Sequence, residues 1–208
     1  MANTKGPANI IRDRMNHGAN YKYKNNYNRS LQSGDSPSGL MHMDEIYSVG
    51  LNGSTYESFM AAIAAMDVII DVRANPNGST AGIFNPAYNY HNAMDRNYKT
   101  AGPKPGLKTI LGDRYVPLPS MGVPTPARKG LNLNDQTAMN DQLDRHRELF
   151  PAAGLAVITQ LAAKGLKVAL LCQEPVYDPR QAKTACHRRY IICDLLDATL
   201  VELDARKC

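Results

Sequence analysis

The chain has 208 residues, 43% of them hydrophobic, with no tryptophan and a net charge of +5, enough apolar material for one sizeable core. No run approaches the roughly 18–20 apolar residues of a membrane-spanning helix, and the N-terminal MANTKGPANIIRDRMNHGANYK lacks the apolar stretch of a secretory signal. A cytoplasmic chain without membrane contact, its four cysteines reduced, is therefore expected.

All of the excess positive charge lies at the start. Across residues 1–34, Lys5, Arg12, Arg14, Lys22, Lys24 and Arg29 face only Asp13, while the remainder of the chain balances. Residues 1–43 read as a basic, Tyr/Asn/Lys-rich flexible extension, too poor in aliphatic side chains to offset the entropy of ordering. Tyr21 and Tyr23 are suited to stacking on bases, and Lys22, Lys24 and Arg29 to meeting phosphates. Nucleic acid is one candidate partner for this segment and an acidic protein surface another.

Residues 44–208 read as the folded domain. IYSVG, from Ile46, predicts a first strand. Ser54 and Glu57 have the capping-box spacing, and Phe59, Met60, Ile63 and Met66 follow on one helical face. DVIIDVR, residues 67–73, predicts a buried strand. Residues 74–132 are rich in glycine, proline, asparagine and tyrosine, with short elements such as RYVPLP at 114–119; a stretch of this kind is usually a functional loop region. Residues 134–147 predict a polar helix, and 155–163 a more apolar one closed by Gly165. KVALLC, residues 167–172, predicts a second buried strand. Thr184 is placed to cap a helix that turns Ile191, Ile192, Leu195 and Leu196 to the core, and TLVELD at 199–204 closes as a strand. The order predicts a single compact α/β domain with a mostly parallel sheet flanked by helices.

In open α/β sheets, ligands bind outside the carboxyl ends of the strands. One predicted strand delivers Asp71 and Arg73 there, the other Cys172 and Glu174, and the last helix opens with Cys186, His187, Arg188 and Arg189. Arginines in a first helical turn face the positive end of the helix dipole, at a cost of roughly 0.3–1 kcal/mol each. A negative counterpart is required: an internal carboxylate, Glu174 or Asp71, or a bound anion such as phosphate. Asp71 and Glu174 are candidate acid/base groups, or else simply partners for Arg73 and Arg188. Cys186, beside His187 and Arg188, is a candidate nucleophile, or else a small buried side chain. Neither Cys172 nor Cys186 is followed six residues later by the arginine of a tyrosine-phosphatase loop, since Asp178 and Ile192 stand there. With no CxxC pair, no metal or other cofactor is expected.

Taken together, IYSVG, IDVRANP, YVPLPSMG, LLCQE and CHRR resemble the bacterial, archaeal and phage family known as domain of unknown function 488, over about residues 46–205. The matching positions are Asp71, Arg73, Pro76, Tyr115, Leu118, Pro119, Gly122, Cys172, Glu174, Cys186, His187 and Arg188. The chain departs from the pattern at Leu51, where the family commonly has histidine, and in a longer segment between Glu174 and Cys186. The resemblance implies a compact α/β fold with a shared polar rim, and no particular reaction. It adds Tyr115 to Arg73, Arg188, His187 and Cys172 as candidate substrate-binding residues. The expected function is that of an enzyme acting on a phosphate-bearing substrate, a nucleotide or nucleic acid. The alternatives are a non-catalytic nucleotide or nucleic-acid binding module and a structural protein.

Overall fold

Glu45–Gly50 (β1), Val68–Asp71 (β2), Tyr115–Pro117 (β3), Val168–Cys172 (β4) and Thr199–Leu203 (β5) form one sheet in the order β3-β2-β4-β1-β5, with every pair parallel. They belong to a computed structural model that describes residues 45–79, 82–87, 105–174 and 185–205. The extension with Tyr21, Lys22, Tyr23, Lys24 and Arg29 lies outside the described residues, as does the expected cap Thr184. Among the described residues, no helix is long and apolar enough to cross a membrane.

The sheet is covered on both faces, which is why β2 and β4 are continuous apolar runs rather than alternating ones. Side chains along a strand point alternately to opposite faces. Val168, Leu170 and Cys172 of β4 therefore share one core with Val68 and Ile70 of β2. Ala169 and Leu171 share the other core with Ile69. Over the first core lie Gln136–Asp144 (α3), Ala152–Ala163 (α4) and the last helix, through Met139, Leu143, Ile158, Leu161, Ile191 and Ile192. Over the second lie Tyr56–Ala62 (α1) and Leu107–Leu111 (α2), through Phe59, Leu107 and Leu111, with Ile63 just beyond α1. Each fully buried side chain of this size contributes about 1.5–3 kcal/mol of transfer free energy.

Two helix starts differ from the sequence expectation. The cap of α1 is Thr55, not Ser54: its side chain accepts from Ser58 N at 3.1 Å, and Ser58 Oγ accepts from Thr55 N at 3.0 Å. The Ser54 hydroxyl is otherwise engaged, donating to Gly50 O at 2.9 Å. The last helix opens only at His187, as a short α-helical turn (His187–Arg189, α5) that continues as a π-helix over Tyr190–Leu195. Its N-cap Cys186 offers no side-chain bond to the helix. Gln136 of α3 satisfies the Cys186 N–H instead, at 2.8 Å. Gly165 ends α4 with φ +75°, as its position predicted.

One glycine sets the shape of the loops above the sheet. A Cβ on Gly122 would lie 2.5 Å from Ala74 N and 2.6 Å from Ala74 Cβ. The turns after β2 and β3 thus touch backbone to backbone. Gly122→Ala is expected to cost about 1–3 kcal/mol, the usual penalty of overpacking. Urea denaturation checks this, and an unchanged midpoint would show that the two turns have room to separate.

Candidate functional site

The strand pairing that builds the sheet also assembles the rim. Asp71 stands opposite Leu171, and Gly50 opposite Cys172. The ends of β2, β4 and β1 therefore lie side by side. Two polar clusters occupy this edge, joined by a cleft.

The first cluster centres on Asp71, which is 1% exposed. Its carboxylate accepts from Arg73 N at 3.1 Å, Arg73 Nε at 2.8 Å, Arg73 Nη2 at 2.6 Å and Tyr115 Oη at 2.6 Å. Arg73 Nη2 also donates to Phe84 O at 2.7 Å. Burial works against the Arg73 charge, but the Asp71 carboxylate outweighs it and the guanidinium stays firmly protonated. Burial first, and then the same carboxylate, push the Tyr115 phenol well above its ordinary range. With its oxygens taken up in this way, Asp71 is arranged to position Arg73. Arg73 Nη1, by contrast, is buried with no hydrogen-bond partner among the described residues.

The second cluster joins the end of β4 to the start of α5. Arg188 is fully buried; it donates through Nε to Ser48 Oγ at 2.8 Å and through Nη1 to Glu174 O at 3.1 Å and to Cys172 Sγ. Cys172 Sγ in turn donates to Glu174 Oε2, while Glu174 Oε1 lies 3.2 Å from His187 Nδ1. Desolvation alone would raise the Glu174 carboxyl, but His187 and Arg188 hold it well below the usual carboxylate range. Burial opposes a charge on His187, and the Glu174 carboxylate reverses this, so the imidazole is raised from its ordinary value. Burial also works to raise both thiols. It prevails at Cys172, whereas at Cys186 the interaction with the Cys172 side chain and the Arg188 charge outweigh it and bring the thiol down to about 7. Gln136 grips the backbone of Cys186 from both sides, accepting from its N–H at 2.8 Å and donating to its carbonyl at 3.1 Å.

A cleft of about 400 Å³ opens between the two clusters, lined among others by Arg73, Asn75, Arg128, Cys172, Glu174 and His187. Arg128 reaches it from the loop after β3, its Nε donating to Val123 O at 3.1 Å. No family model, curated protein or solved structure matches the chain.

The candidate residues thus fall into place unequally. Arg73, Cys172, Glu174 and His187 line the cleft. Cys186 and Arg188 are fully buried and hold positions next to its lining residues, while Asp71 and Tyr115 lie beneath Arg73. Arg128, Gln136 and Ser48 were not among the candidates. Arg128 and Gln136 come from polar stretches where their spacing carries no signal, and Ser48 sits inside an apolar strand. A fully buried serine in β1 is the kind of oddity that structure alone exposes.

Proposed function

We propose that the protein is an enzyme acting on a phosphate-bearing substrate, a nucleotide or the phosphate of a nucleic acid, bound in the cleft at the strand ends. The observation that carries this reading is the pair of arginines on the cleft, Arg73 and Arg128, facing the Glu174–His187 pair, with Arg73 Nη1 buried and unmatched. A buried donor without an acceptor costs about 1–3 kcal/mol, more when charged, and a turn of the Arg73 guanidinium toward an anion in the cleft would relieve it. In this reading Arg73 and Arg128 hold the anion, and the Glu174–His187 pair is the acid/base unit, with the imidazole carrying the proton and the carboxylate holding it in place. Membership of the domain of unknown function 488 family belongs to the same proposal. It is supported by the way the DVR, CQE and CHRR motifs come together on one edge of the sheet. So does the role of the basic extension, residues 1–43, as a further nucleic-acid contact.

The test is binding and turnover of nucleoside monophosphates and short oligonucleotides by the full chain. Arg128 is exposed, so Arg128→Ala is expected to leave folding intact and to weaken phosphate binding about tenfold, the value of one charge-assisted hydrogen bond. Glu174→Gln is expected to abolish turnover while binding persists. Absence of saturable phosphate binding, or an Arg128→Ala protein with unchanged affinity, would remove the reading.

A further inference from the structure

The sequence offers no metal-ligand spacing, yet the fold brings three donors together. Cys172 Sγ, Cys186 Sγ and a Glu174 carboxylate oxygen all lie within 4.8 Å of one another. From this cluster we infer a binding site for a thiophilic divalent cation of the zinc class, opening on the cleft. Two sulfurs and one carboxylate suit such an ion, whereas magnesium and calcium take oxygen donors throughout.

Each donor is held by a partner outside the set. Arg188 Nη1 donates to Cys172 Sγ, His187 Nδ1 sits on Glu174 Oε1 and leaves Oε2 on the cysteine side, and Gln136 clamps the backbone of Cys186. Outer groups that fix the donors are a regular feature of metal centres. Charge allows a cation here: two thiolates and a carboxylate carry three negative charges, which Arg188 and the His187 imidazole beside Glu174 do not fully offset.

The arrangement is that of a reactive centre rather than a closed structural one. Structural zinc takes four protein ligands, while catalytic zinc takes three and keeps one direction open. Here Cys186 lies fully buried at the back, and Cys172 and Glu174 line the cleft, so the open direction is the cleft itself. His187 also lines it, 3% exposed, with Nε2 unmatched among the described residues. This opening onto the substrate rests on the function proposed above; the ligand set does not.

The experiment is titration of the full chain, reduced and stripped by chelator, with cobalt(II) as a coloured stand-in for zinc. One equivalent is expected to give a thiolate-to-cobalt charge-transfer band and the visible bands of a tetrahedral centre, both erased by zinc. Cys172→Ser and Cys186→Ser are each expected to weaken the charge-transfer band and the double variant to lose it, while Cys193→Ser and Arg128→Ala keep it. Gln136→Ala leaves all three donors in place and is expected to weaken cobalt binding about 10- to 100-fold, as loss of an outer partner does. It serves if the cysteine variants fail to fold. No charge-transfer band, or a band that survives loss of both cysteines, overturns the inference. So does stripped, reduced protein that yields only a Cys172–Cys186 disulfide on handling. Phosphate binding is measured on the same samples. Phosphate binding without a cobalt signal removes the metal site alone; a cobalt signal without phosphate binding removes the substrate reading alone.

Discussion

Asp71→Asn is expected to lower the unfolding free energy by about 3–5 kcal/mol, the cost of leaving a buried charge without its partner. Arg73 is 4% exposed, and its Nε and Nη2 are both matched by Asp71. Asparagine presents one oxygen and an amide donor in place of two acceptors, so one arm of the guanidinium meets a donor. The Tyr115 hydroxyl loses its ionised partner at the same time. For a chain of this length the fall in Tm is about 10 °C. The double variant Asp71→Asn, Arg73→Met removes both charges and is expected to recover part of the loss, because an apolar pair of similar volume packs without desolvation cost. A single variant within 1 kcal/mol of the parent, by urea titration analysed with a constant slope, would show that the pair is not what holds the turn after β2.

Arg188→Ala is expected to be of the same size, for a different reason. Its side chain is the largest of those fully buried, and it ties β1, β4 and the loop at Glu174 together through Ser48, Cys172 and the Glu174 carbonyl. Alanine leaves those acceptors unmatched and opens a void, with both effects adding to about 3–5 kcal/mol. The exposed Arg128→Ala serves as the control and is expected within about 0.5 kcal/mol of the parent. Equal midpoints for the two variants would mean that Arg188 contributes to the site without holding the fold.

The middle of the sheet was legible because β2 and β4 are buried on both faces. VII and VALLC are short apolar runs without alternation, rich in β-branched and branched aliphatic side chains. The edges of elements were less so. Ser54 and Thr55 are chemically alike, and the choice between them was settled by the local turn, in which the Ser54 hydroxyl bonds back to the Gly50 carbonyl. The late opening of the last helix likewise depends on Gln136, fifty residues away. At the site, Asp71, Arg73, Cys172 and Glu174 could be foreseen because strand ends converge. The Asp71–Arg73 pairing was among the expected alternatives and is found, whereas the Glu174 carboxylate meets His187 rather than Arg188, which crosses to Ser48 and Cys172. Metal-ligand spacing is a local signal, and Cys172 and Cys186 meet only because the chain leaves and re-enters the same edge of the sheet.

The strand order β3-β2-β4-β1-β5 also governs when the protein can exist. β1 and β2 are the first strands to be made, yet they are not neighbours; β4 stands between them. A nascent chain therefore carries Ile46, Val49, Ile69 and Ile70, all buried in the finished sheet, until the long stretch between Asp71 and Val168 has been made and their common partner arrives. Parallel pairing across such separations is slow and leaves strand edges open to other chains. The centre of the sheet closes only when Val168–Cys172 slots into the gap, and the cleft only after that, when His187 follows.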